Sequence, residues 1–198
     1  MMADLSRLAH VETGRRVIES TGGMRTEDVV LKHVAPVRVA ELTATAASYG
    51  AQDIRPAIQS LYPELLRRLE AAGILAAASP VIAYYQDPAE PSDAVIVHAA
   101  IPLTADPQPG GDFAVVDLPA IACAATILHR GPTDSITQSL QALAGWIHDN
   151  GYHPAGRHRE VSLSYHRDHP GSRLTELQAP VTRNPRHGAS ELRIHVLG

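Results

Sequence analysis

The residue best suited to a chemical or binding role in this chain is Glu176, which stands between two leucines in the segment RLTELQAPV, residues 173–181. Side chains alternate along a strand, so Glu176 shares a face with Leu174 and Gln178, whereas Leu177 points the other way. A carboxylate that loses hydration in an apolar cleft favours its neutral form, and a cationic ligand restores its charge. The pattern therefore predicts either a surface carboxylate or an acid at the floor of a ligand cleft.

Other reactive residue types do not form a recognisable centre. Cys123 is the only cysteine and lies in the apolar run AIACAATIL, which is typical of a buried, inert thiol and excludes an internal disulfide. Four of the eleven histidines fall close together but lack the helical spacing and cysteine support of a zinc site. We expect no metal and no cofactor; the four histidines are His153, His158, His166 and His169.

The composition narrows the class of protein. Of 198 residues, 44% are apolar, which is enough for a sizeable core. Lys plus Arg number 17 and Asp plus Glu number 21, giving a formal charge of −4. This balance argues against nucleic acid as a direct partner, because phosphate binding needs a concentrated basic face. No apolar run approaches the roughly 20 residues of a membrane helix, and the first residues lack a signal-peptide pattern, so a cytoplasmic location is expected.

The periodicity predicts one order of elements twice. Two strands, VVLKHV and VRVAELTAT, are expected to form a hairpin around Ala35-Pro36, followed by a helix over about Ile54 to Ala72 and the strands PVIAYYQ and AVIVHAAIPL. The second half repeats this with DFAVVDL and AIACAATIL around Pro119, a helix from near Ser135, and the strands REVSLSY and RLTELQAPV. We interpret this as an internal duplication, with repeats at approximately 28–103 and 112–182.

One constant offset aligns the two copies: the shift that places Gly73 on Gly151 also places His98 on Glu176 and Tyr84 on Ser162. Two strand-helix-strand-strand repeats joined edge to edge predict an α+β fold with pseudo-twofold symmetry. A curved antiparallel sheet would carry both helices on one face and leave a concave central cleft on the other. For the strand 160–166 we expect Glu160, Ser162, Ser164 and His166 to face the open side, and Val161, Leu163 and Tyr165 to face the helices.

Four ordered motifs, HRGPTDSI, WIHDNGY, the RE that opens the following strand, and TELQAPV, resemble one known family. The chain resembles the GyrI-like small-molecule-binding domain, also called the bacterial transcription activator effector-binding domain. The resemblance implies a domain over 26–184, an N-terminal extension at 1–25 and a tail at 185–198. It also implies binding of bulky, flat, apolar and often cationic compounds in the cleft, with Glu176 at its bottom.

The resemblance, together with the strand pattern, gives a set of candidate ligand-binding residues. The family's tyrosine at the end of the first-repeat strand corresponds to Tyr84, for which ordinary core packing is the alternative. The equivalent tyrosine of the second repeat is replaced by Ser162, so other rings would have to supply stacking. The complete set is Glu176, Tyr84, Trp146, Tyr152, Ser162 and Tyr165; helix packing is the alternative for Trp146 and helix capping for Tyr152.

The preferred function is multidrug or metabolite sensing, or sequestration, by a relative of regulator effector domains. Residues 1–25 are too short for a winged helix, so no DNA-binding domain is expected in this chain. An alternative from another class is a hydrolase of cyclopropane-bearing electrophiles, which some stand-alone relatives are, with Glu176 as general base. A third is a protein-binding inhibitor module. Enzymatic activity is the less favoured reading, and a regulator protein or a second copy is the expected macromolecular partner.

Overall fold

The computed structural model describes residues 28–74, 80–90, 92–104, 112–132, 135–164 and 173–183. In this part of the chain there are two helices and nine strands. The elements of the first copy, in order, are β1 (Val30–Val34), β2 (Val37–Ala46), α1 (Ala51–Ala71), β3 (Val81–Gln86) and β4 (Val95–Pro102). Those of the second are β5 (Ala114–Leu118), β6 (Ile121–Arg130), α2 (Ile136–Asp149), β7 (Tyr152–Pro154), β8 (Arg159–Ser164) and β9 (Leu174–Arg183).

The duplication and the α+β fold are confirmed. Both helices end at a glycine in the left-handed region, Gly73 with φ 73° after α1 and Gly151 with φ 72° after α2. Only glycine takes this conformation without strain, which is why the same residue stops the helix in each copy. The β7 strand, which pairs with the end of β9, is an addition to the predicted order.

The strands form one antiparallel sheet in the order β1-β6-β9-β8-β3-β4-β2-β5. This order reads the same from either end when each strand is replaced by its counterpart in the other copy. The pseudo-twofold axis therefore passes between β3 and β8, where the two copies meet. The predicted pairs β3–β4 and β8–β9 are both present.

The two predicted hairpins are wrong. β1 pairs with β6 of the other copy, and β5 pairs with β2, so each copy lends its first strand to its neighbour. Two-residue hairpin turns need positive φ at one or both turn residues, usually at Asn or Gly. The links here are Ala35-Pro36 and Pro119-Ala120, and no described non-glycine residue has positive φ. The chain therefore passes across to the opposite copy instead of folding back on itself.

The exchanged strands also roll up the sheet. β1 lies at one end of the strand order and β2 near the other, yet only two residues separate them. Extended chain spans at most about 3.6 Å per residue, so Val34 and Val37 lie within about 11 Å of each other. Both ends of the sheet must therefore approach one another at the two links, and the concave face is more enclosed than the open cleft predicted from sequence.

The convex face carries the helices and most of the core. Leu61, Leu65 and Leu69 of α1 are buried against strands of the first copy. Leu143 and Ile147 of α2 pack in the same way on β6 and β9. Each copy thus has its own helix-on-sheet core, as expected for a layer with one apolar stripe per helix.

The faces predicted for β8 are reversed from Glu160 to Leu163. Val161 is paired with Glu176, and Leu163 lies beside it on the concave side, whereas Glu160 and Ser162 lie on the other face. A register shift after Ser162 then pairs Ser164 with Leu174, which shares the concave face with Glu176. The predicted offset fails here by one residue. Tyr84 pairs with His98, and Val161 pairs with the equivalent Glu176, so Val161 rather than Ser162 is the counterpart of Tyr84. A one-residue shift moves every side chain of a strand to the opposite face.

Some sequence predictions fall outside the described residues. These are the N-terminal extension 1–25, the tail 185–198, and the side chains of Tyr165 and His166. The proposed domain limits at 26 and 184 also lie there and stay predictions.

Candidate functional site

A small cavity lies on the concave face near the junction of the two copies. It has a volume of about 20 Å³, room for about one water molecule. The first copy contributes only apolar walls, and all of the polar lining comes from the second copy. The lining residues are Val34, Val37, Pro80 and Ile82 from the first copy and Arg159, Val161, Leu163, Glu176 and Gln178 from the second.

Glu176 lines this cavity on the concave face, in agreement with the strand alternation. It is 8% exposed, and both of its carboxylate oxygens have donors. The Lys32 ammonium donates to Oε1 at 2.5 Å, and the Gln178 side-chain amide donates to Oε2, also at 2.5 Å. Lys32 comes from β1, the strand lent by the first copy, so strand exchange is what brings the cation to the acid. The carboxylate at the floor of the cavity is therefore already paired with a cation of the protein itself.

Arg159 is the second charged group of the cavity lining. It is 7% exposed, sits at the start of β8, and donates from Nη2 to the backbone carbonyl of Pro119 at 2.7 Å. Pro119 belongs to the second link, so this bond ties the link to the centre of the sheet. Burial lowers the pKa of Arg159, opposed by the nearby Tyr84. No carboxylate of the described residues lies within ion-pair distance of its guanidinium.

The first copy has its own polar cluster on the concave face, formed by Glu41, Tyr84 and His98. The Tyr84 hydroxyl donates to Oε2 of Glu41, and Nδ1 of His98 lies 3.4 Å from Oε1. The Tyr84 and His98 rings stack with centroids 4.2 Å apart. Burial alone would raise the pKa of Glu41, but hydrogen bonds with His98 and Tyr84 outweigh it and lower that pKa. Burial and the bond to Glu41 raise the pKa of Tyr84 well above its usual range.

Of the other predicted ligand residues that the structure describes, none lines the cavity; these are Tyr84, Trp146, Tyr152 and Ser162. Ser162 pairs with Thr175 and therefore lies on the convex side of the sheet. Trp146 and Tyr152 stack on each other at 5.8 Å and pack against the core beneath α2. The structure thus brings Tyr84 to the same face as Glu176, next to Arg159 in the strand register, and separates the other two rings from that face.

Sequence reasoning missed several of the polar residues of the concave face, namely Lys32, Glu41, Arg159 and Gln178 as partners in the site. Gln178 was recoverable, because it follows Glu176 by two positions on the same strand. Lys32 was not, because its position depends on the strand exchange, and Glu41 was not, because its position depends on the pairing of β2 with β4. Arg159 would have been found if the offset of β8 had been corrected by one residue.

A buried acid also lies on the convex side, beneath α1. Burial raises the pKa of Glu160 to about 7, against the opposing influence of the Tyr85 hydroxyl. His158 Nε2 is 3.9 Å from Glu160 Oε1, and burial lowers the pKa of His158. Tyr62, whose pKa burial also raises, borders the same group. This acid faces the helix layer and is separated by the sheet from the cavity.

The described residues contain no group of three or more His, Cys, Asp or Glu side chains arranged to hold a metal ion. Neither of the two described helices is long and apolar enough to cross a membrane.

Comparison of the chain with known proteins assigns it to a family with a known type of site. Residues 27–182 match the GyrI-like small molecule binding domain, which is most of the chain. The protein therefore belongs to the GyrI-like small molecule binding domain family, as its motifs predict. No curated protein matches the chain at a significant level.

Solved structures show the same fold at low sequence identity. The C-terminal domain of EcmrR is 21% identical with a TM-score of 0.65, and the match covers 78% of this chain and 97% of that domain. In the cryo-EM structure of an EcmrR–DNA complex, the match covers 57% of the EcmrR chain. SAV2435 bound to tetraphenylphosphonium is 12% identical (78% and 93% covered, TM-score 0.55). A hydrolase from Listeria innocua is 14% identical (78% and 92% covered, TM-score 0.51).

Proposed function

We propose that this protein binds bulky, flat, largely apolar small molecules in its concave cleft, as a sensor or as a sequestering protein. The observation that carries the proposal is the buried carboxylate of Glu176 at the floor of a cavity whose other walls are mostly apolar. Ligand sites of this kind combine apolar area with a few convergent polar groups. The tetraphenylphosphonium complex of SAV2435 supports it, because a protein of the same fold holds a bulky aromatic compound.

Binding of a bulky compound requires the cleft to widen. A cavity of about 20 Å³ is far smaller than the roughly 300 Å³ or more of a site for a drug-sized ligand. The links at Ala35-Pro36 and Pro119-Ala120 join the two ends of the sheet, and residues flanking the first link line the cavity. Movement of these links away from the central strands would open the space, and such a change would give a regulator partner or a second copy something to detect.

Hydrolysis is less well supported than binding. A general base must accept a proton from a water that is placed for attack, whereas Lys32 and Gln178 already occupy one acceptor position on each oxygen of Glu176 and the cavity has room for about one water. The likeness to a Listeria innocua hydrolase is one of fold alone. The preference for cationic ligands that the resemblance implies is also less well supported, because a cationic ligand would have to displace Lys32 to pair with Glu176.

The test is saturable binding of N-phenyl-1-naphthylamine, an uncharged aromatic fluorophore, to the whole chain. Leu163→Trp fills the cavity from its wall, and Ala71→Trp adds the same ring on the exposed surface of α1 as the matched control. We expect binding to weaken at least tenfold in Leu163→Trp and to stay unchanged in Ala71→Trp. Equal binding by the two variants, or no saturable binding by the wild type, would reject the cleft as the site.

A further inference from the structure

The charges around the cavity point to a ligand class, and this inference rests on the function proposed above. The two charged residues of the lining are Arg159 and Glu176. Glu176 is paired with Lys32, whose side chain is 15% exposed, so the pair carries no net charge. Arg159 has no such partner among the described residues, which leaves an uncompensated positive charge at the wall.

The neighbours of Arg159 do not neutralise it. In the strand register its two immediate neighbours on the concave face are Tyr84 of β3 and Gln178 of β9, both uncharged. The Tyr84 hydroxyl is directed to Glu41, and the Gln178 amide to Glu176. Glu41, the next acid on this face, is held by Tyr84 and His98 rather than by the guanidinium.

A buried guanidinium without a carboxylate is expensive unless something else supplies negative charge. Arg159 donates one hydrogen bond to the Pro119 carbonyl, whereas a guanidinium carries five N–H donors in a fixed planar arrangement. That fork matches a carboxylate, which can accept two parallel bonds from it. Apolar walls formed by Ile82, Val161 and Leu163 surround the group and suit a flat hydrocarbon body.

We infer that the cleft selects aromatic carboxylates: the acid group pairs with Arg159, and the ring system lies on the apolar walls. Lys32 determines this selectivity by occupying Glu176, which would otherwise attract cations. Opening of the second link would expose more of the guanidinium, because Pro119 is its hydrogen-bond acceptor.

The experiment compares three ligands that share one ring system: 1-pyrenecarboxylate, 1-pyrenecarboxamide and 1-pyrenemethylammonium. Their dissociation constants are measured by fluorescence with the whole chain near pH 7. We expect the carboxylate to bind at least about tenfold more tightly than the amide, since hydrogen bonds to charged groups are worth that much, and the ammonium to bind most weakly. This ranking in the wild type decides the inference without any substitution.

Variants then assign the preference to residues. Arg159→Gln should bring the carboxylate and the amide to nearly equal affinity, while Arg67→Gln, which alters an exposed arginine of α1, should leave the ranking unchanged. Lys32→Met should raise affinity for the ammonium about tenfold or more. Each variant is read after circular dichroism shows that it is folded.

The outcomes separate the two proposals. Absence of saturable binding by all three ligands would overturn the proposed function, and this inference with it. Binding in which the ammonium or the amide equals or exceeds the carboxylate would overturn the inference alone. Retention of the carboxylate preference in folded Arg159→Gln would also overturn it, because the selecting group would have to lie elsewhere.

Discussion

The two halves of the concave face hold equivalent positions with opposite chemistry. In the second half, Glu176 of β9 accepts a hydrogen bond from Lys32 of β1. In the first half, the position equivalent to Glu176 is His98 of β4, and its charged neighbour is Glu41 of β2. The position that holds an acid on β9 therefore holds a base on β4, and the two partners, Lys32 on β1 and Glu41 on β2, come from strands that are not equivalent. Of these four residues, only Glu176 lines the cavity.

This difference shows how a duplicated unit acquires a single, asymmetric site. Strand exchange makes each half of the concave face a composite of both copies, so one substitution on an edge strand changes the chemistry of the opposite half. The counterpart of Lys32 in the second copy is Val116 on β5, an apolar residue that cannot pair with a carboxylate. The Lys32–Glu176 ion pair and Arg159, which has no carboxylate partner among the described residues, therefore lie on one side of the pseudo-twofold axis, and Glu41 with its Tyr84 donor lies on the other.

The sharpest way to break the second half is to remove its cation. Lys32→Met leaves Glu176, whose side chain is 10% exposed, without its counter-ion. Loss of one partner of a buried pair typically costs 3–5 kcal/mol, and because both groups keep some exposure we expect about 3 kcal/mol. Urea unfolding at pH 7 measures the change.

The matched control for Lys32→Met is the double variant Lys32→Met with Glu176→Gln. Replacing both charges removes the uncompensated carboxylate, so most of the stability should return. A double variant as unstable as the single one would mean that Lys32 acts through packing of its chain and not through its charge.

The strands, helices and duplication could be predicted because they rest on local signals. The spacing of Leu61, Leu65 and Leu69 indicates α1, and Gly73 and Gly151 mark equivalent helix ends. The position of Glu176 on the concave face follows from alternation within one strand. These features can be identified in the sequence without knowing which strands pair.

The parts that could not be predicted depend on pairing between distant segments. Adjacent strands joined by two residues ordinarily suggest a hairpin, and the proline in each link was the available warning against it. The missing residue between Gly151 and Val161 reversed the faces of β8, because the offset was carried through a loop that does not keep it. Both errors removed charged residues, Lys32 and Arg159, from the site.

A second test compares Glu176 with Glu160, a buried acid that lacks a strong cation. The folded-state pKa of Glu160 is about 7, against 4.5 ordinarily, so the folded protein holds the proton more tightly than the unfolded chain does. This contribution is fully present below about pH 4.5 and is lost as the pH rises to about 7. Glu160→Gln should therefore be more stable than the wild type at pH 8, by roughly 2–3 kcal/mol.

The expected signature for Glu160 is a difference in unfolding free energy between Glu160→Gln and the wild type that grows between about pH 5 and 7. His158 has the opposite tendency, since burial lowers its pKa and its contribution is lost as the pH falls. Repeating the comparison in a His158→Asn background separates the two groups. A pH-independent difference would contradict the assignment.

A third test weakens the first half without removing a charge. Tyr84→Phe deletes the hydroxyl that donates to Glu41, a residue only 7% exposed, and should cost about 1–2 kcal/mol. Because that bond helps to hold the pKa of Glu41 down, the stability that Glu41 provides at neutral pH should also be lost at a higher pH in the variant. Urea unfolding between pH 3 and 7 tests both effects, and Tyr49→Phe, at an exposed ring, is the control.

The smallest effect on stability is expected at an exposed ion pair between β2 and the exchanged strand β5. Arg38 on β2 donates from Nη1 to both carboxylate oxygens of Asp117 on β5, at 3.1 and 3.0 Å, and the side chains are 47% and 69% exposed. Exposed pairs contribute about 1 kcal/mol or less, so Asp117→Asn should change the unfolding free energy by no more than about 0.5 kcal/mol and only at low salt. The pair has the same cross-copy origin as Lys32–Glu176 but a solvated setting. A loss near that of Lys32→Met would mean that strand exchange, and not burial, makes such pairs matter.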